Sequence, residues 1–314
     1  MAVAAAPATE LARVKAVVGR QTALRRLALL APALFIVFLF GVCPLFIILI
    51  YSFLESGAYG GVDWVFSTDA YVSFLFTRDM FDPSVMSFNS SNLEIFWRSF
   101  LLALFATAAS LLIGFPTAYF MATRPRSTRT LWLFLITLPF WTNLLVRTFA
   151  MMLLIRDEGF INDGLIWFGV IDRPIVMLYT DFAVALGLLY SFLPFMILPL
   201  YASLEKIDFR LVEAGFDLYA NRAKVLRRII IPLAKPGIIA GSILVFIPAL
   251  GAYITPTLLG GGRDLMIGNL IALQFGGSRN WPFGSALALI LMSVVLVFLM
   301  IYARVSSERN VQHG

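Results

Sequence analysis

Six long apolar runs, separated by polar segments, constrain this chain more than any other feature. They are Leu27–Leu54, Ser99–Thr123, Thr130–Ile155 (interrupted by Arg147), Phe182–Leu204, Gly237–Gly262 and Asn280–Ala303. Each is long enough for a membrane-spanning α-helix, which takes roughly 20 residues. Inside a bilayer every backbone N–H and C=O must be paired without water, and a helix does this within its own segment. The expected fold class is an all-α polytopic membrane protein with six transmembrane helices. Composition agrees: 13% of the residues are charged, against about 25% in a soluble domain.

Six is an even number, so both termini fall on one side. Basic residues decide which. Of 24 Lys and Arg, 17 lie in the N-terminal segment, in the loop Arg124–Arg129, in the polar island 205–236 and in the tail. Short loops on the cytoplasmic side carry the excess of Lys and Arg, so the N and C termini and the island are expected in the cytoplasm. Twelve of the 18 acidic residues fall on the opposite side. The first run follows a basic start but is 28 residues long, with no small-residue cleavage site after it; it reads as a retained span rather than a signal peptide.

The island between the fourth and fifth runs reads EKIDFRLVEAGFDLYANRAKVLRRIIIPLAKP. Phe209, Val212, Phe216, Tyr219, Ala223, Leu226 and Ile230 recur at steps of three and four, the spacing of one apolar stripe along a helix. A mere connector needs neither that length nor that stripe, whereas a docking surface for a soluble partner needs both. The other reading of the stripe is that it packs on the membrane body. The segment Glu55–Glu94 mixes aromatics with turn residues and predicts short structured elements at the membrane surface. Prolines punctuate several spans. Pro194, Pro248 and Pro256 either kink helices in the ordinary way or shape a translocation path.

Catalytic chemistry is missing from the pattern. No GxxxxGK[ST] phosphate loop occurs, and Gly260-Gly261-Gly262 lacks the Lys that would follow. The one histidine, His313, lies in the tail, and the one cysteine, Cys43, lies in an apolar run. These residues offer no catalytic constellation, no metal site, no bound cofactor and no intrachain disulfide. Nothing points to a nucleic-acid partner. Ionisable groups inside spans would mark an ion-coupled carrier, but only Arg147 lies well inside one. Asp181, at the start of the fourth span, either pairs with Arg147 or faces water.

The island resembles the cytoplasmic EAA loop of bacterial ABC-importer permeases: Glu-Ala-Ala, three residues, Gly, nine residues, Ile-x-Leu-Pro. Here Glu213, Ala214 and Gly215 open the pattern, Tyr219 stands at the glycine place, and Ile229-Ile230-Ile231-Pro232 closes it. The glycine normally permits a turn between two short helices. With Tyr219 there, Asn221 either supplies the unusual backbone or caps the second helix. The resemblance spans roughly residues 27–304 and is closest to permeases of spermidine/putrescine importers. It is carried by PFWTNLLVRTFA (139–150), LPFMILPLYASLEKID (193–208), PGIIAGSILVFIPALGAYITPTLLGG (236–261), and LMIGNLIALQF with NWPFG (265–284).

That resemblance implies a type I ABC importer permease in the bacterial inner membrane. Its parts would be a cytoplasmic segment 1–26, a permease domain 27–304 with coupling loop 205–236, and a cytoplasmic tail 305–314. It also implies a second permease subunit, a dimer of ATP-binding subunits that uses the ATP, and an extracytoplasmic solute-binding protein, all working at the lipid bilayer. Coupling to the ATPase would fall to Phe209, Val212, Glu213, Ala214, Gly215, Phe216 and Pro232. Glu213 would meet a basic partner residue, and Phe209, Val212 and Phe216 would fill the cleft. For a polyamine cation the path should offer aromatic faces and oxygens; the candidates are Trp141, Asn143, Asp181, Tyr190, Tyr253 and Thr255. Competing readings are an ABC permease for another solute such as an opine, or a gradient-driven carrier.

Overall fold

The structure is a computed structural model that describes residues 29–78, 86–262 and 265–307. The expected N-terminal segment 1–26, and the tail beyond residue 307, lie outside them. Helix α1 (Leu29–Tyr51) opens the described chain. Two antiparallel hairpins follow, β1 (Leu54–Ser56) with β2 (Val62–Phe66) and β3 (Phe76–Arg78) with β4 (Met86–Phe88), and a helical turn α2 (Asp69–Val72) lies between them. Then come α3 (Ser91–Ala122), α4 (Arg126–Thr137), α5 (Leu144–Ile155), α6 (Phe160–Trp167) and α7 (Asp181–Leu204). The last five helices are α8 (Arg210–Asp217), α9 (Arg222–Leu250), α10 (Ile254–Leu259), α11 (Ile267–Phe275) and α12 (Trp281–Ser307). The short surface elements expected between 55 and 94 are these two hairpins and the helical turn, a small addition to a mostly helical fold, and Gly61 ties the first hairpin to the start of α12 by donating its N–H to Arg279 O at 2.8 Å.

Helices α3, α7 and α9 pack on one another and form the centre. Between membrane helices water is no driving force, so close approach through small residues does much of the work. Ala103, Ala106, Ser110, Gly114 and Ala118 recur along α3 and are buried. On α9, Gly237 and Gly241 let α7 come close: a Cβ at Gly237 would lie 2.6 Å from Pro199 O, and one at Gly241 2.8 Å from Met196 Sδ. Helix α1 stands apart, packed against α12, with most of its side chains exposed. Its Leu, Ile and Phe surface suits lipid or a neighbouring subunit.

Among the described residues, five helices are long and apolar enough to cross a membrane: α1, α3, α7, α9 and α12. The third apolar run is not one straight helix. Pro139 removes a backbone donor, α4 tightens into a 3-10 turn at Leu138–Trp141, and Thr142 is extended. Asn143 then caps α5, and the two halves are bent by 91°. Counted as one broken span, they bring the number to six. The fifth run is displaced. Helix α9 begins at Arg222, inside the island, and ends at Leu250. The expected span to Gly262 is cut by Gly251-Ala252, after which α10 forms a separate short helix.

Candidate functional site

Two regions gather the residues singled out by sequence. The first lies at the end of the bundle away from the hairpins. Arg129 fixes its base: Nη1 meets Glu205 Oε1 at 3.1 Å, while Nε and Nη2 donate to the carbonyls of Arg124 and Ala122 at 2.7 and 2.8 Å. Helix α8 follows and ends in a Schellman turn. Ala220 N–H donates to Gly215 O at 3.1 Å and Tyr219 N–H to Phe216 O at 2.9 Å. Tyr219 takes the left-handed conformation itself, with φ +57°. The turn expected of glycine is therefore made by tyrosine. Asn221 is a cap, its Oδ1 accepting from Lys224 N–H at 2.8 Å.

The expected single stripe is corrected by this turn. Two helices replace one, and Tyr219 is 98% exposed. The inner residues split from the outer ones. Val212, Val225 and Ile230 are buried, and Phe209 is partly buried with them; its ring lies 6.4 Å from that of Tyr119 on α3. Val212 thus packs on the chain's own body instead of facing outward. Gly215 is buried too, where a Cβ would meet Ile229 Cδ1 at 2.8 Å; this close approach accounts for glycine in place of the second alanine. Glu213 and Ala214 are exposed, Phe216 half so. The outward face also carries Tyr219, part of the expected stripe, and Leu211 and Leu218, which the sequence pattern did not single out as contacts. Pro232 lies exposed in α9, just after the π turn Leu226–Ile230.

The second region is the junction of α5, α7 and α10, which pack together. Trp141, Tyr190 and Tyr253 are exposed there. Asn143 is exposed as well, but its Oδ1 is engaged in capping α5 through Leu145 N–H at 2.8 Å. Thr255 is buried, its methyl group against the Gly187 position on α7, so it supports the junction from behind and does not line an open surface. Asn269, missed in the sequence, ties this region down: Nδ2 donates to Tyr253 O at 3.1 Å and to Thr257 Oγ1 at 2.6 Å. An asparagine inside the otherwise apolar stretch LMIGNLIAL was the available signal.

Asp181 is held by Arg98, not by Arg147. Both Nε and Nη2 of Arg98 donate to Asp181 Oδ1, the former at 2.9 Å, and so link α3 to α7. The pair borders an apolar groove of about 460 Å³ that includes Trp97 and Phe105. Arg147 makes no hydrogen bond at Nε or Nη1, and both atoms are sealed from solvent. Its guanidinium lies 5.8 Å from the Phe140 ring centroid and 5.9 Å from that of Tyr190.

Comparison with known proteins agrees with this architecture. Residues 110–312 match the family described as binding-protein-dependent transport system inner membrane component. The chain is 42% identical over 272 residues to the spermidine/putrescine transport system permease protein PotB of Escherichia coli K12, covering 87% of this chain and 94% of that protein. It is 44% identical over 223 residues to PotB of Haemophilus influenzae, covering 71% and 78%. The crystal structure of a bacterial ABC transporter involved in import of the acidic polysaccharide alginate superposes with TM-score 0.64 at 18% identity, over 94% of this chain and 99% of that one. With its apolar spans, its helical core and this family match, the chain belongs to the multi-pass inner-membrane permeases of ABC transport systems.

Proposed function

We propose that this chain is a permease subunit of an ATP-driven importer of polyamines, spermidine or putrescine, and forms half of the translocation pathway. The likeness to PotB over 87% of the chain carries the substrate class. It favours polyamines over an opine or a gradient-driven carrier. A second permease subunit completes the pathway, an ATP-binding subunit dimer hydrolyses the ATP, and a solute-binding protein delivers cargo from outside. The related alginate transporter has been crystallised with its ligand-bound periplasmic protein, which supports that last role. The permease domain takes residues 27–304, with 1–26 and 305–314 as cytoplasmic ends and six spans between.

Coupling falls to the outer face of α8. Glu213 supplies the charge, and Ala214, Leu211, Leu218 and Tyr219 supply apolar surface. Phe209, Val212 and Gly215 hold α8 to α3 and α9 while half-exposed Phe216 is left for the partner's cleft, and Pro232 lies where α9 leaves the π turn, so that movement of α8 reaches the core. On the cargo side, Trp141, Tyr190 and Tyr253 offer aromatic faces, Asn143 an amide and Asp181 a carboxylate near the mouth.

The test is uptake of labelled putrescine and spermidine in cells with and without this chain, with an amine and opine competition panel. Polyamine uptake should vanish with the chain and return with the gene. With Glu213→Ala, membrane insertion should persist while the ATPase co-purifies poorly or uptake falls at least several-fold. Unchanged uptake in that variant would remove Glu213 from the coupling surface.

A further inference from the structure

Among the described residues, Arg147 is the one charged side chain with nitrogens sealed from solvent and without a hydrogen-bonding partner in its own fold, at Nε and Nη1, although the residue as a whole is only partly buried. An arginine stays charged at any physiological pH. Removing even part of a charge from water without a partner is costly, and aromatic faces offset only part of that cost. The carboxylate that sequence offered it, Asp181, is occupied by Arg98. What remains near the guanidinium is the rings of Phe140 and Tyr190, each just within cation–π range. Phe140 also meets Phe195 edge to face, with ring centroids 4.9 Å apart. Tyr190 is 40% exposed, so the cradle can be reached from outside the chain.

We propose that Arg147 is a tethered cation that fills, in the empty permease, the aromatic cradle which receives an ammonium group of the cargo. This rests on the polyamine reading above. An alkylammonium and a guanidinium are attracted to the same ring faces by the same quadrupole. Both cannot occupy one cradle, and at short range in a low-dielectric site like charges repel strongly. Within the chain the guanidinium is near rings and makes no hydrogen bond at Nε or Nη1, so a polycation pressed into the pathway can displace it. At rest it keeps the cradle closed to small cations that would otherwise leak along an aromatic path. Arg147 is then a specificity-determining residue whose charge sets how much cargo must be delivered before the path accepts it.

The test uses the full complex of two permeases and two ATPase subunits in nanodiscs, without the solute-binding protein. Equilibrium binding of labelled putrescine is measured for wild type, Arg147→Gln, Arg147→Lys and the double variant Arg147→Gln/Tyr190→Ala. Arg147→Gln should bind at least tenfold more tightly than wild type. Arg147→Lys, which keeps a tethered cation, should stay near wild type, and the double variant should lose the gain. Binding by Arg147→Gln equal to wild type, or a gain that survives loss of Tyr190, overturns the inference. So does failure of Arg147→Gln to assemble, which would assign Arg147 a carboxylate on the second permease. Putrescine uptake by wild-type proteoliposomes supplied with the binding protein checks the parent reading separately. If they transport and Arg147→Gln shows no gain, only this inference fails; if they do not, the polyamine function itself fails.

Discussion

Tyr219 bears a backbone conformation that bulky residues rarely adopt. The left-handed region costs an L-residue roughly 1–2 kcal/mol, and its ring gains nothing in return within the chain, being 98% exposed. Such a residue points to a benefit outside the chain, and the ATPase subunit is where the proposed coupling face looks. Tyr219→Gly should therefore stabilise the turn by about 1 kcal/mol while lowering cargo-stimulated ATP hydrolysis several-fold. Thermal unfolding and ATPase assays on the assembled complex read the two effects separately. At this scale the sequence was partly legible. Motif spacing located Glu213, Gly215 and Tyr219, and Asn221 is the cap it could be. It did not reveal that Val212 turns inward, because a helical stripe has the same period whether it meets its own body or a partner. Nor did it pair Asp181 with Arg98, which lie 83 residues apart.

Among the elements, the packing of α7 against α9 depends on missing side chains. Gly241→Val would push a branched Cβ into Met196, whose Sδ and O lie 2.8 and 3.1 Å from where that Cβ would sit. The expected cost is about 1–3 kcal/mol or more from overpacking, read as a lower unfolding temperature of the purified complex. Gly251→Ala, where a Cβ meets nothing within 4 Å, is the control and should change little. Hydropathy found every long helix in the structure, since an apolar run of that length has few alternatives in a bilayer. It misplaced both ends of α9 because positive charge in the island looked like loop. In fact Arg222, Arg227 and Arg228 are exposed on a helix that had already begun. It also missed the 91° bend in the third run. Pro139 was visible, but a proline alone fixes neither the size nor the direction of a break.

For the molecule as a whole, orientation is the property most open to direct measurement. Cys43 is the only cysteine, so a Cys43→Ser background gives a clean reporter. Trp64, exposed in the first hairpin, and Lys206, exposed at the start of the island, sit at opposite ends of the bundle. With a membrane-impermeant maleimide on intact cells, Trp64→Cys should label, and Lys206→Cys should label only after permeabilisation. The reverse pattern would invert the topology. Sidedness rests on charge counts, which the fold itself does not encode.

Helix α9 starts beside the exposed turn at Tyr219 and runs 29 residues into the centre, a rod of about 43 Å at 1.5 Å per residue. Pivoted near its middle, a tilt of five degrees would swing each tip by about 2 Å in opposite directions. The π turn at Leu226–Ile230 interrupts the α-helical hydrogen-bond ladder and so would be the joint of that rod. A push on the tip is shared between bending the joint and rotating the shaft. Stiffening the joint would make a mechanically better lever, with less give for a misaligned docking partner.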